Sequence, residues 1–110
     1  MRKSRVTEFG DISAFSGKPK ECDHHLVFGR GLRDLAEEDG LFIPLTDAEH
    51  DMSAPLLQIH DNPPAEKLSK IAGQLAFEKN YYRDLLEKYV ELDGDIAREK
   101  FRQRYGISYL

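Results

Sequence analysis

Cysteine is almost absent from this sequence, because Cys22 is the single one among 110 residues. No disulfide within the chain is available, and a reducing cytoplasm is therefore the expected compartment. Long hydrophobic runs are missing too, since no stretch approaches the roughly 18–20 apolar residues of a membrane span. The basic start, residues 1–5, is followed by no apolar run. We expect neither a secretory signal nor a membrane partner.

An excess of positive charge is also missing. The 16 Lys and Arg residues are outnumbered by 20 Asp and Glu residues, which gives a formal net charge of −4. This balance argues against a protein that coats nucleic acid indiscriminately, but it allows a nuclease with a local basic surface. The length suits one domain with a small core, to which a bound metal would add stability.

The chain divides by texture into three stretches within a single domain of the α+β class. Residues 1–21 form a polar arm without sustained periodicity, in which we expect one short strand around Val6–Phe9. Residues 22–62 carry all four histidines. Residues 63–110 show the periodicity of helices and are expected to pack on the middle stretch.

Two short apolar runs in the middle stretch predict buried strands. Residues 26–28 are followed by a glycine, and residues 41–43 lie between Gly40 and Pro44. The residues between the two runs, 32–39, predict either a helical turn or a polar loop.

A capping-box pattern follows the second run. Thr46 can accept a hydrogen bond from the first free N–H groups of a helix, and Glu49 can reach back to the Thr46 N–H. A short helix is predicted to begin near Asp47, to carry His50, and to end or bend at Pro55. The predicted order is therefore strand, loop, strand, helix.

The last stretch predicts one long helix and a short final one. Asn62 is a good N-cap, and prolines at 63 and 64 suit the first turn. Gly94 is expected to end the long helix, and Asp95 to cap a final helix that includes Phe101. An apolar stripe at steps of three and four residues predicts core packing or the seam of a homodimer. The stripe consists of Leu68, Ile71, Leu75, Tyr82, Leu85, Tyr89 and Leu92, with Glu78 in one gap.

The four histidines all lie between residues 24 and 60, each at the end of a predicted element. Neutral imidazole is the commonest metal ligand in proteins, and it can also act as a base near neutral pH. His24 and His25 are adjacent at the start of the first predicted strand, so their side chains point to opposite faces unless the strand bends. The placement indicates either a metal site or surface and capping histidines.

These histidines belong to a longer pattern of residues. The pattern consists of Cys22 to Gly29, Arg33, Asp39 to Leu45, His50-Asp51 and Ile59 to Asn62. It resembles the small HNH endonucleases of phages and prophages, and the tail from Phe101 to Leu110 is similar to theirs. The resemblance implies a ββα-metal core over residues 22–62 that hydrolyses DNA phosphodiester bonds with one divalent ion. The long C-terminal helix and the short final helix would follow this core.

The resemblance also implies a role for each histidine. His25 would be the general base, and His24, His50 and His60 would be the metal ligands. Asp51 would be an extra ligand where the family more often has Asn. The roles of His24 and His25 could be exchanged, and His50 could orient the site instead of binding the ion.

The donor types and the nearby arginines indicate what such a site would bind. A site of imidazoles with one carboxylate would accept Zn, Mg, Mn or Ni, and the ligand type alone does not choose among them. Arg30 and Arg33 flank the loop after the first strand and would bind phosphate, although solvent-facing loop arginines are an equal alternative. The expected partner is DNA, with a phage terminase or recombination protein as a further one, in the cytoplasm of a bacterial host.

Two departures from the family pattern leave three functions open. The paired cysteines of the family's zinc knuckle are absent, and Leu32 lies near the place of the Asn that normally orients the base. The first function is an HNH-type DNA endonuclease or nicking enzyme. The second is a non-catalytic, metal-stapled DNA-binding or accessory module of phage recombination or packaging. The third is a helical interaction protein that binds through its long helix.

Overall fold

The computed structural model of the protein describes residues 3–87 and 96–110. The elements in chain order are β1 (Cys22–His25), α1 (Leu32–Glu38), β2 (Phe42–Leu45), α2 (Asp47–His50), a 3-10 turn (Pro55–Leu57), α3 (Pro63–Glu87) and α4 (Ile96–Tyr105). The α+β class is confirmed, and the loop between the two strands contains a helix. None of the described helices is both long enough and apolar enough to cross a membrane.

The two strands form an antiparallel sheet in which His25 pairs with Phe42. The predicted strand at residues 26–28 is wrong, because β1 ends at His25 and the chain bends away there. The two adjacent histidines therefore close the strand instead of opening it. The bend accompanies the packing of α3 on this segment, where a side chain at Gly73 would come within 3.0 Å of Leu26.

The second strand continues further than the apolar run predicts, through Pro44 to Leu45. Proline donates no hydrogen bond and is tolerated in a strand only where an edge is free. In the two-stranded sheet, β2 has such an edge. There the Pro44 carbonyl accepts a hydrogen bond of 2.8 Å from the Ala14 N–H, and the N-terminal arm thus contacts β2.

The strand predicted around Val6–Phe9 is absent from this described part of the arm. The N–H groups of Val6 and Thr7 bind the Ser4 hydroxyl at 3.0 and 3.3 Å, and the Phe9 N–H binds the Thr7 hydroxyl at 3.1 Å. Such local bonds from Ser and Thr side chains compete with the backbone ladder of a sheet. These local hydrogen bonds therefore replace the strand that the apolar residues of the segment suggested.

Helix α2 begins at Asp47, as the capping box predicts. The Glu49 N–H donates to the Thr46 hydroxyl at 3.3 Å, and the Thr46 N–H donates to the Glu49 carboxylate at 2.8 Å. The same carboxylate accepts a bond of 2.5 Å from the Ser13 hydroxyl of the arm. The helix ends at His50, well before Pro55.

Helix α3 starts at Pro63 as predicted, but two leucines of its apolar stripe face solvent. Leu68 and Leu75 are 66% and 52% exposed. The buried positions include Ser69, Gln74 and Glu78, where hydrogen bonds satisfy the polar atoms. The core-packing interpretation of the stripe is therefore wrong for Leu68 and Leu75. Tyr89, Leu92, Gly94 and Asp95 lie outside the described residues, and so does the side chain of Leu85.

Helix α4 is confirmed, and it completes the core through aromatic packing. The rings of Phe101 and Tyr105 stack at 4.4 Å, and Phe101 meets Phe77 of α3 edge to face at 5.3 Å. Within the described residues, the core consists of two clusters of buried side chains. The first consists of Val27, Ala36, Leu41, Phe101 and Tyr105, and the second of Leu26, Ile43, Leu45 and Ile59.

Candidate metal centre

Three of the four histidines converge at one place. His24 is the third residue of β1, His50 is the last residue of α2, and His60 lies in the turn before α3. Their ring centroids form a triangle with sides of 5.1, 5.1 and 4.6 Å. One ligand atom from each ring lies within 4.8 Å of the other two. These three side chains could hold a metal ion.

Backbone pairing explains why His50 and His60 meet although ten residues separate them in sequence. The His60 N–H donates to the His50 carbonyl at 3.0 Å, and the Ile59 N–H donates to the Glu49 carbonyl at 3.0 Å. The buried Gln58 closes the intervening loop, because its Oε1 accepts a bond of 2.7 Å from the Ser53 N–H while its Nε2 donates to the His60 carbonyl at 2.6 Å. The loop geometry therefore places both rings on the same side as His24.

His24 is fully buried, and its two ring nitrogens differ in their surroundings. Nε2 lies 2.8 Å from the Ser69 hydroxyl of α3. Nδ1 is buried and has no hydrogen-bond partner among residues 3–87 and 96–110. Since buried polar atoms nearly always have a partner, this nitrogen requires an explanation, and an ion bound beside it would provide one.

The electrostatic environment keeps His24 and His50 uncharged near neutral pH. Burial, together with the neighbouring imidazoles of His50 and His60, lowers the pKa of His24 to about 3. Burial also lowers the pKa of His50, with a further contribution from His60. Neutral rings retain the lone pair that a metal ligand needs, so protons do not compete with an ion at neutral pH.

The donor set fits a divalent transition metal. Imidazole nitrogen suits Zn, Ni and related ions, and three protein ligands with one open position are the arrangement of catalytic zinc sites. Asp51, the predicted extra ligand, lies beside the cluster, with its Oδ1 at 3.8 Å from Nδ1 of His50. It does not belong to the group of mutually close ligand atoms in the described residues.

His25 lies on the opposite face of β1, as expected for adjacent residues of a strand. Its Nε2 is 2.9 Å from a carboxylate oxygen of Glu37 on α1, and its ring is 5.8 Å from that of Phe42. An ionised carboxylate only accepts, so the bond to Glu37 leaves Nδ1 as the basic nitrogen. The assignment of His25 as the general base stays a prediction.

The predicted phosphate-binding residues lie apart from the buried cluster. Arg30 and Arg33 are exposed at the turn that leads into α1 and on its first turn. The phosphate-binding role of the two arginines stays a prediction.

Cys22 is half-buried, and burial raises the pKa of its thiol to about 11, so the thiol is protonated at neutral pH.

Four further residues lie beside the cluster, and the sequence analysis assigned no role in the site to any of them. The Phe28 ring lies 4.8 Å from that of His60, and Lys70 Nζ lies 4.7 Å from the Phe28 centroid. Ser69 and Glu66 of α3 contact His24 and His60, respectively. Only Phe28 stood in the pattern shared with the HNH family. Ser69 and Lys70 lie between Leu68 and Ile71 of the apolar stripe, and Glu66 lies two residues before Leu68. Nothing in the sequence distinguishes these three positions from solvent-facing ones.

Comparison with known proteins found no match for this chain among family models, curated proteins or solved structures. The resemblance to HNH endonucleases therefore rests on the residues and geometry described above, and the family assignment stays a prediction.

Proposed function

We propose that the protein is a metal-dependent DNA endonuclease or nicking enzyme of the HNH type, with a ββα-metal core over residues 22–62. The observation that carries the proposal is the convergence of three imidazoles that could hold one ion, together with the buried Nδ1 of His24, which has no hydrogen-bond partner in the described chain. Two antiparallel strands followed by a short helix carry two of these imidazoles, which agrees with the proposed core.

The proposed chemistry divides among a few groups. A divalent ion held by the three histidines would neutralise charge at the scissile phosphate and stabilise the leaving oxygen. His25 would take the proton of the attacking water, with Glu37 holding the other ring nitrogen. The Lys70 ammonium beside Phe28 and the exposed Arg30 and Arg33 would add positive charge for the DNA backbone.

Plasmid nicking tests this proposal. With added Mg, Mn, Ni or Zn, we expect the purified protein to nick supercoiled plasmid, and EDTA to abolish the reaction. The His25→Ala variant should lose about 10²–10⁴-fold in rate, the usual contribution of a general base. It should still bind metal, because His25 lies outside the trio.

Lys67→Ala is the matched control, since Lys67 is exposed on the first turns of α3. Its nicking rate should equal that of the parent protein. If His25→Ala nicks as fast as the parent in every metal tested, the assignment of the base is wrong.

The second candidate function, a metal-stapled DNA-binding or accessory module, is favoured by the charge of the protein. The net charge is −4, and Arg104 of α4 is engaged by Glu38 and Asp39 at 2.8 and 2.7 Å. This alternative predicts DNA binding without cleavage and a large loss of stability on chelation. Robust metal-dependent turnover by the purified protein would exclude it.

A further inference from the structure

We propose that helix α3 sets opposite tautomers on two of the metal ligands. Ser69 would hold His24 with its proton on Nε2, and Glu66 would hold His60 with its proton on Nδ1. Each ring then presents an unprotonated nitrogen to the same ion. This inference rests on the proposed metal site, and it gives the long helix a positioning role that its apolar stripe does not suggest.

The proton of the Ser69 hydroxyl determines the His24 tautomer. Ser69 Oγ lies 2.8 Å from the Leu26 carbonyl oxygen, which can only accept a hydrogen bond. The single hydroxyl proton is therefore used there, and Oγ must accept from His24 Nε2 at 2.8 Å. With the proton on Nε2, the neutral ring has its lone pair on Nδ1, the buried nitrogen that lacks a partner within the described residues.

Glu66 determines the tautomer of His60 by the same reasoning. Its carboxylate oxygen lies 3.2 Å from His60 Nδ1, and an ionised carboxylate only accepts. The proton of the neutral ring is therefore on Nδ1, which leaves Nε2 free for an ion. A carboxylate in this position also raises the basicity of the ligating nitrogen and compensates part of the charge of the metal.

The two positioning residues lie on the same face of α3, because residues three apart in a helix are neighbours. One turn further on, Gly73 allows the helix to approach the chain so closely that an added Cβ would lie 2.6 Å from Val27 and 3.0 Å from Leu26. The close approach fixes the distance between Ser69 and the end of β1. The packing of α3 therefore also sets the orientation of the rings of His24 and His60.

Histidine tautomers can be read directly in the metal-free protein. Long-range proton–nitrogen correlation spectra at neutral pH should show His24 protonated on Nε2 and His60 protonated on Nδ1. The second tautomer is the more informative one, since an unconstrained imidazole in water favours the proton on Nε2. Finding His60 protonated on Nε2, or His24 on Nδ1, would overturn the inference.

Metal affinity provides the second test, with Zn²⁺ titrated against a competing chelator. Ser69→Ala and Glu66→Ala should each weaken Zn²⁺ binding about 10–100-fold, the usual effect of removing a hydrogen-bond partner of a metal ligand. Lys67→Ala, in the same part of α3, should bind Zn²⁺ like the parent. Unchanged affinity in both Ser69→Ala and Glu66→Ala would contradict the inference.

Conservative variants separate positioning from packing. Ser69→Thr keeps a hydroxyl, and Glu66→Gln keeps an oxygen that can accept from Nδ1. Both should retain the parent tautomers, and Ser69→Thr should bind Zn²⁺ within a few-fold of the parent. If Ser69→Thr loses as much affinity as Ser69→Ala while circular dichroism shows both folded, Ser69 acts through packing and the inference is wrong.

The outcome for the nuclease proposal is distinguishable, because neither readout involves DNA. Parent tautomers and weakened Zn²⁺ binding in the alanine variants, without nicking by the parent, would support the role of α3 and reject the endonuclease. Nicking that depends on metal but is accompanied by the wrong tautomers would support the endonuclease and reject the role of α3.

Discussion

The metal-centre proposal depends most on His24, whose ring is buried. Its Nε2 contacts Ser69, and its Nδ1 has no hydrogen-bond partner in the part of the chain that is described. The low pKa of this ring, about 3, follows from burial and from the imidazoles of His50 and His60. An ion at this place would satisfy this buried nitrogen, which residues 3–87 and 96–110 leave unpaired.

The low pKa makes the stability of the metal-free protein depend on pH. The pKa of His24 is about 3 in the folded protein, against 6.5 for an ordinary histidine. Between these values the unfolded chain binds a proton that the folded chain does not, so acid favours unfolding. Stability should be full above pH 6.5 and should fall as the pH decreases towards 3. His50, whose pKa is also lowered, acts in the same direction.

Urea unfolding of the metal-free protein between pH 8 and pH 5 measures this effect. The matched variant is His24→Asn, which removes the titrating ring. We expect the parent to lose stability across this range and the variant to show a flatter profile. A free energy of unfolding that is the same at pH 7 and pH 5 in the parent would contradict the burial of a neutral His24.

The resemblance named His24, His50 and His60 as the metal ligands, and the structure brings these three side chains together. The residues alone left the roles of His24 and His25 open. His24 and His25 are adjacent and chemically identical, and the face that each occupies depends on where the strand ends. The contacts of Ser69 and Glu66 with the cluster depend on how α3 crosses β1. Such contacts join distant parts of the chain, so no local sequence pattern predicts them.

Elements with local signals were predicted well, and those without were not. The capping box of Thr46 and Glu49 fixed the start of α2, and the apolar spacing of α4 was correct. Strand ends depend on the pairing partner and on α3, so the run at residues 26–28 was misassigned. The buried face of α3 is polar and hydrogen-bonded at Ser69 and Gln74, which a count of apolar residues misses.

Gly73→Ala should destabilise the protein, although alanine favours a helix over glycine by roughly 0.5–1 kcal/mol. The added Cβ would lie 2.6 Å from a methyl group of Val27 and 3.0 Å from Leu26 Cβ. Overpacking of this kind typically costs about 1–3 kcal/mol, which exceeds the gain in helix propensity. The free energy of unfolding, measured in urea, should fall by about 1–2 kcal/mol.

The displacement of α3 in Gly73→Ala should also weaken Zn²⁺ binding, since Ser69 lies one turn away. Ala72→Gly is the matched control, because Ala72 is exposed on the same helix and the change alters propensity alone. A Gly73→Ala variant more stable than the parent would show that α3 does not approach the chain so closely.

At the scale of the whole molecule, the exposed stripe of α3 leaves the predicted homodimer as a proposal. The side chains of Leu68 and Leu75 are 66% and 52% exposed to solvent. Leu68 also lines an open apolar cleft of about 420 Å³, together with Phe15, Leu56 and Leu57. Exposed apolar surface of this kind is common at sites of protein association.

Sedimentation of the parent and of a Leu68→Glu, Leu75→Glu variant tests the homodimer. We expect the parent to sediment as a dimer and the variant as a monomer. The stability of the monomeric fold should change little, because exposed substitutions usually fall within about 0.5 kcal/mol. If the parent stays monomeric at high concentration, the homodimer prediction is wrong.

The candidate metal centre connects elements that are far apart in the chain, since its three histidines come from β1, α2 and the turn before α3. The measurement that tests it most directly is the number of Zn²⁺ ions bound per chain, by the parent, His50→Ala and His25→Ala. We expect one ion for the parent, none for His50→Ala under the same conditions, and one for His25→Ala. A parent that binds no ion, or a His50→Ala variant that binds Zn²⁺ as tightly as the parent, would contradict the proposed metal centre.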